Sequence, residues 1–244
     1  STKFNFLNVA QWVPRKNLDL CIKWFVENFH DNPDVGLVLK TNLARNCLMD
    51  REATHGTLKG ILSSIDPNND RKCKVYLLHG DLTEGELADV YTDDSVKAMI
   101  STTHGEGFGL PLFEAVCHKM PVLATNATGH IDFLYCPDDD SKTSAHFAKV
   151  DFTVEKVPRN AVWEGIISEE SRWVCPIETS FKNALNDVYE NYEKYSEKSE
   201  RLYNFVTQKF SKQTVNDLMV ESIKSIMVDE NKDEVENINT RVFS

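Results

Sequence analysis

No stretch of this chain comes near the run of ~20 apolar residues that a membrane-spanning helix needs, and no signal-peptide pattern is visible in it. A surplus of positive charge is missing too: 27 lysines and arginines stand against 38 aspartates and glutamates, a formal charge of -11. Nucleic-acid binding draws on basic side chains that displace phosphate counterions. The balance therefore argues against a nucleic-acid partner, while leaving room for a local basic pocket. The six cysteines (Cys21, Cys47, Cys73, Cys117, Cys136 and Cys175) include no C-x-x-C pair. That scatter predicts reduced, mostly buried thiols in a cytosolic protein instead of a disulfide framework. Cys117 sits beside His118, but neighbours on a helix point in different directions, so packing is expected of them and not metal binding. A starting methionine is absent as well. Ser1-Thr2-Lys3 leads at once into a strand, which predicts a piece of something longer.

What is present is ordinary for a globular domain: 244 residues, 41% hydrophobic and 27% charged, enough to bury a sizeable core. Phe4 to Val9 is short, aromatic and β-branched, the composition of a strand. Asn17 stands where a helix N-cap would, ahead of Leu18, Cys21, Ile22, Phe25, Val26 and Phe29, spaced along one helix face. Val35 to Leu39 is a continuous apolar run, as in a strand covered on both faces. A helix is predicted from about Asp50 to Ile65, a turn at Pro67 to Asp70, and a strand over Val75 to Leu78. Thr83 followed by Glu86 makes a capping box opening a helix to Tyr91. Lys97 to Ile100 is a strand, Pro111 to His118 a helix, and Pro121 to Ala124 a further strand. Residues 136–175 are irregular in pattern, and from Glu178 onward the pattern is all helix, with Ser211 capping the last. Residues 1–228 read as one domain, and Asp229 to Ser244, charged and poor in apolar residues, as a tail. Short apolar strands alternating with helices indicate an α/β fold, a Rossmann-like parallel sheet with helices on both faces plus C-terminal helices. Ligands of such sheets sit beyond the carboxyl ends of the strands.

The glycine-rich turn after Ile100 lies at one of those ends. It reads Thr103-His104-Gly105-Glu106-Gly107-Phe108-Gly109-Leu110-Pro111-Leu112-Phe113-Glu114-Ala115, with proline in the first turn of a helix. Backbone N–H groups and the helix dipole hold an anion well at such a start, and Gly107 and Gly109 remove β-carbons that would keep a phosphate away. Glu106 and Glu114 would accept hydrogen bonds from hydroxyls on either side, a pattern that suits a ribose–diphosphate–sugar. From glycine content alone, a tight turn that merely packs a helix on a sheet accounts for the segment equally well.

The segment closely resembles the E-x7-E motif of retaining, family-four GT-B glycosyltransferases, usually E-G-F-G-L-P-x-x-E-A, here Glu106 to Ala115. Phe6 to Asn17 (F-L-N-V-A-Q-W-V-P-R-K-N) looks like that family's opening strand and loop, and Val75 to Tyr91 like its strand–glycine–capped-helix stretch. Pro121 to Gly129 is similar to the strand and glycine loop that follow the motif. The resemblance implies the donor-binding half of a two-domain enzyme that moves a sugar from a nucleotide donor to an acceptor with retention. By it, Glu106 and Lys16 are the catalytic pair, Lys16 facing the donor phosphate and Glu106 a sugar hydroxyl. Glu114 would hold the ribose hydroxyls, with Gln11, Arg15, Gly80, Leu82, Gly107, Phe108, Gly109 and Leu110 completing the donor site. The family's first-loop arginine falls on Gln11, which has no charge, and Arg15 is the cation placed to replace it. No cofactor or resident metal is implied, and Asp138 to Asp140 is read as a solvated loop. His104 is expected to bond to backbone. An N-terminal acceptor domain is implied and lies outside this chain, so the acceptor stays unnamed. The insert at 136–175, with Trp163 and Trp173, looks similar to glycosyltransferases of large DNA viruses and phages. A non-catalytic nucleotide-sugar-binding subunit needing a partner chain, or an interaction module that kept only the fold, are the alternatives.

Overall fold

The structure is a computed structural model; it describes the backbone of residues 2–241 and the side chains of residues 2–226. In chain order it runs β1 (Phe4–Val9), α1 (Leu18–Phe29), β2 (Val35–Lys40), α2 (Leu48–Ile65), β3 (Lys74–Leu78) and α3 (Glu84–Thr92). Then come β4 (Val96–Ser101), α4 (Leu110–Cys117), β5 (Val122–Thr125), α5 (Ile131–Leu134), β6 (Tyr135–Pro137), β7 (Thr143–Ala145) and β8 (Ala148–Val150). A hairpin of β9 (Phe152–Lys156) and β10 (Arg172–Pro176) precedes α6 (Glu178–Glu190), α7 (Tyr192–Lys209) and α8 (Lys212–Arg241).

Six strands form one parallel sheet in the order β3-β2-β1-β4-β5-β8. The apolar runs predicted as strands lie within it because a parallel sheet is covered on both faces and has no room for polar alternation. Phe6 and Leu7 are adjacent in β1 and so point to opposite faces, yet both are fully buried. On the Phe6 side, Phe4, Phe6, Phe25, Phe29 and Tyr189 pack with ring centroids 5.1 to 6.0 Å apart. Burying each such side chain contributes roughly 1.5–3 kcal/mol. Polar residues inside the sheet bridge neighbouring strands: the Asn8 side-chain amide donates to the Ile100 carbonyl at 2.9 Å, joining β1 to β4.

Two expectations need correcting. Asn17 does precede α1, but it makes no side-chain cap; its backbone is left-handed (φ 55°) and its amide donates to the Thr102 carbonyl at 3.2 Å. Residues 136–175 are not irregular. They contain two small antiparallel pairs, β6–β7 and β9–β10, and β8, which completes the main sheet beside β5. All six cysteines are free thiols; Cys21, Cys73 and Cys136 are buried, Cys117 and Cys175 half-buried, and Cys47 exposed. No helix among the described residues is long and apolar enough to cross a membrane.

The chain divides into two compact units, residues 1–203 and 204–244. In the second, the Ser211 hydroxyl accepts the Thr214 N–H at 3.1 Å, the expected cap of α8. Val215, Leu218, Met219, Ile223 and Ile226 of that helix are exposed. The backbone of the expected tail continues as helix to Arg241; its side chains, and residues 242–244, lie outside the described residues.

The capping box is present: the Thr83 hydroxyl accepts the Glu86 N–H at 3.2 Å, and the Glu86 carboxylate accepts the Thr83 N–H at 2.8 Å. Thr83→Ala is expected to cost about 1 kcal/mol of stability in urea denaturation, because one orphan donor at the helix start loses its partner.

Candidate functional site

β1 and β4 lie side by side at the middle of the sheet, where the strand order reverses direction. In open α/β sheets this is the edge at which ligands sit, beyond the carboxyl ends of the strands. The β1 loop ends in a short 3-10 turn, Pro14–Lys16, and the loop after β4 clasps it. The Arg15 carbonyl accepts the His104 N–H at 2.8 Å and the Thr103 hydroxyl at 3.2 Å. The Thr102 hydroxyl donates to the Asn17 carbonyl at 3.0 Å. The left-handed Asn17 turns the chain so that Arg15 and Lys16 face the glycine-rich turn while Leu18 enters the core.

The clasp brings charges 90 residues apart in sequence into contact. Lys16 Nζ lies 2.6 Å from Glu106 Oε1, and Arg15 Nη1 lies 3.3 Å from Glu106 Oε2. Arg15 also donates to the Gly105 carbonyl. The Lys16 and Glu106 side chains are 15% and 10% exposed, so their attraction is weakly screened. Burial pushes the Glu106 carboxyl up, but the Lys16 hydrogen bond and charge, the Thr103 hydroxyl and Arg15 outweigh it. The net shift is below the usual glutamate range, and Glu106 is anionic at neutral pH.

Beyond Glu106 the turn depends on two glycines. Gly109 has φ 91° at the start of α4, and a β-carbon there would lie 3.0 Å from the His130 β-carbon. Gly129 packs so closely on the turn that a β-carbon would stand 1.9 Å from the Gly107 carbonyl oxygen. The Glu106 N–H and C=O are both held from this loop, by the Thr128 hydroxyl at 3.0 Å and the Gly129 N–H at 3.0 Å. His130 is fully buried behind the turn and donates from Nε2 to the Thr125 carbonyl at 2.7 Å. The turn is thereby held from behind, with the N-terminal end of α4 presented at the carboxyl edge of the sheet.

Glu114, one turn into α4, is half-buried, and its Oε2 accepts the Tyr91 hydroxyl at 3.0 Å. His118 Nδ1 donates to the Glu114 carbonyl at 2.8 Å, and its ring stacks on Tyr91 at 5.2 Å. His118 therefore has a packing role beside Cys117, as expected. Gly80 has φ 109°, its carbonyl accepts Lys40 Nζ, and Leu82 is half-buried in the loop between β3 and α3. Gly107 and Leu110 are exposed on the turn, while Phe108 is half-buried against Phe133, with centroids 5.1 Å apart. Gln11 stands apart from Glu106: it is exposed, and its amide donates to the Leu43 carbonyl at 2.9 Å.

Several residues that shape this edge were not singled out from sequence. Asp50 accepts the N–H groups of Leu43, Ala44 and Arg45 at 3.1, 2.6 and 2.9 Å and meets His79 Nε2 at 2.9 Å, joining the loops after β2 and β3. The His79 contact and those N–H groups hold its carboxyl far below the ordinary aspartate range. Tyr91, Thr128 and His130 carry no local signal beyond membership of a helix or turn. His104 does bond to backbone, donating from Nδ1 to the Val174 carbonyl at 2.7 Å, and its ring stacks on Trp173 at 4.1 Å. The β9–β10 hairpin is thus docked beside the turn. Asp139 forms a two-pronged pair with Arg201 at 2.7 and 3.0 Å. The one metal-like grouping among the described residues is elsewhere, His30, Asp66 and Asp70 at the amino end of the sheet, where Asp66 is already engaged by Arg71 at 2.9 Å.

No family model and no curated protein sequence matches the chain. Solved structures do. The Anabaena HepE protein in complex with UDP-glucose superposes with a TM-score of 0.59 at 16% identity, over 91% of this chain and 49% of that one. Sucrose-phosphate synthase from Thermosynechococcus elongatus matches with a TM-score of 0.61 at 14% identity, over 93% and 46%. The C-terminal domain of the group 1 family glycosyl transferase LpcC from Francisella tularensis matches with a TM-score of 0.56 at 16% identity, over 86% and 88%. The fold is a Rossmann-like half of the GT-B type. The chain spans about half the length of the first two of these structures and nearly the whole of the excised domain. Its structural neighbours are GT-B glycosyltransferases aligned over their C-terminal halves.

Proposed function

We propose that the chain is the donor-binding half of a retaining glycosyltransferase, holding a nucleoside-diphosphate sugar at the carboxyl edge between β1 and β4. The observation that carries this is the contact of Lys16, Arg15 and Glu106 beside the α4 N-terminus. It joins two cations and a helix dipole, suited to a diphosphate, with a carboxylate suited to a sugar hydroxyl. A neighbour of the same fold that holds UDP-glucose supports the choice of ligand. Glu114 takes the ribose hydroxyls. Gly80 and Leu82 border the nucleoside, and the turn from Gly107 to Leu110 borders the diphosphate and sugar.

In the reaction, the bond between the anomeric carbon and the diphosphate oxygen breaks, and a bond to an acceptor hydroxyl oxygen forms on the same face. The hydroxyl proton passes to the departing diphosphate. Lys16 and Arg15 stabilise the charge that develops on that leaving group, and Glu106 orients the sugar. The reading calls for no bound metal and assigns no covalent nucleophile. The acceptor is held by a second domain or partner chain across the cleft.

The test is a calorimetric titration of the chain with uridine-, guanosine- and adenosine-diphosphate sugars without added metal. Saturable binding of one is expected; a folded sample that binds none overturns the reading for this chain acting by itself. Gln11, uncharged and turned toward Leu43, favours one alternative, a nucleotide-sugar-binding subunit without catalysis of its own. Arg15→Ala tests whether a nearby cation makes up the missing charge. If Arg15 replaces the charge lacking at Gln11, its loss weakens nucleoside-diphosphate binding about tenfold, the value of one charge-assisted hydrogen bond. Gln11→Ala leaves affinity within about twofold, since its amide is committed to a surface carbonyl.

A further inference from the structure

Tyr91 is 3% exposed in the last turn of α3, and its hydroxyl faces α4. It donates to Glu114 Oε2 at 3.0 Å, with the Pro111 carbonyl a more distant acceptor at 3.3 Å. His118 stacks on the phenol ring with an interplanar angle of 15°, so the ring is held on one flank by the residue that ends the helix bearing Glu114. The Tyr91 contact is the sole side-chain hydrogen bond of Glu114 among the described residues.

A glutamate carboxylate rotates freely about its last carbon–carbon bond unless something holds it. A lysine or arginine would hold it but also offset its charge. A neutral phenol fixes one oxygen and leaves the charge in place, so the second oxygen stays a strong acceptor with a set direction.

We propose that Tyr91 is a positioning residue that aims Glu114 at the ribose hydroxyls and so sets the preference of this site for ribonucleotides. The proposal rests on the donor-binding function given above and deepens it. Tyr91 is buried with its hydroxyl committed to Glu114, and it acts through that carboxylate. The fixed geometry matters because two vicinal hydroxyls must both meet one carboxylate, and a freely turning one satisfies both only part of the time.

The experiment is calorimetry on the 244-residue chain, wild type and Tyr91→Phe, with UDP, GDP and ADP. The nucleotide the wild type binds is then titrated again as its 2′,3′-dideoxy analogue. Wild type is expected to prefer the ribonucleotide. Tyr91→Phe is expected to lose about tenfold affinity for it, because binding must then order the freed carboxylate, and to bind the dideoxy analogue as wild type does. Thermal melting reports that the variant is folded. Equal loss for both ligands would show a merely structural role for the ring and overturn the proposal, as would unchanged affinity for both. A wild type that binds a nucleotide without regard to its ribose hydroxyls fails differently: it removes Glu114 from the ribose, and the proposal falls with that assignment. A wild type that binds no nucleotide fails the donor-binding function itself.

Discussion

Gly129→Ala is expected to destabilise the protein by at least about 3 kcal/mol and to abolish nucleotide binding along with the turn it supports. The added β-carbon would stand 1.9 Å from the Gly107 carbonyl oxygen, 2.5 Å from its carbon and 2.9 Å from the Glu106 oxygen. All three are backbone atoms, so no side-chain rotation relieves the overlap, and close-packed interiors absorb such shifts poorly. The same movement would break the Gly129 N–H bond to Glu106 and displace the carboxylate from Lys16. Gly107→Ala is the matched control. A β-carbon at Gly107 meets nothing within 4 Å, so its stability should stay within about 1 kcal/mol of wild type. If the proposed donor site is right, its methyl would instead occupy the space where a diphosphate approaches the turn, and affinity should fall more than about tenfold. Thermal melts and calorimetry on both variants check this. A Gly129→Ala protein as stable as wild type would contradict the close packing of the two loops.

Glu114→Ala should reduce nucleotide-sugar affinity by about a hundredfold or more, because two ribose hydroxyls lose a charged acceptor and each such bond contributes roughly 1.5–3 kcal/mol. Asp139→Ala is the comparison of equal charge change. Its carboxylate is exposed and paired with Arg201, so removing it forfeits a surface ion pair of little energetic weight. Affinity should then be unaltered. If the two variants bind equally well, Glu114 is not a ligand residue and the donor site has been misplaced. Because the net charge of both variants changes alike, any general electrostatic effect on an anionic ligand cancels in the comparison.

Most of the fold was legible in the residues themselves. Val35 to Leu39 and Lys97 to Ile100 read as strands because a doubly covered sheet demands continuous apolar runs. Thr83 with Glu86 announced α3, and Pro111 after Gly109 announced α4, because capping and backbone conformation are local demands met by local residue types. The stretch from Glu106 to Ala115 likewise read as a glycine-rich turn opening a helix, since Gly109 takes φ 91° where other residues are strained. Asn17 was misjudged at the same scale. An N-cap and a left-handed corner favour the same residue, and the choice was settled by the Thr102 carbonyl, 85 residues away.

Only tertiary structure decided the rest. β8 has three residues and no periodicity to read; it is a strand because β5 offers it a hydrogen-bonding edge. Nothing near Arg15 or Gln11 says which of them meets Glu106, or that Tyr91 and His118 bracket Glu114. Those relations depend on how loops leave adjacent strands and how α3 lies against α4. The sequence by itself determined most of the elements and the glycine-rich turn between β4 and α4, because dihedral preference and hydrophobic period act over a few residues. The partners of each charged side chain were decided by packing between segments distant in the chain, since hydrogen bonds and ion pairs act through space and are blind to sequence separation.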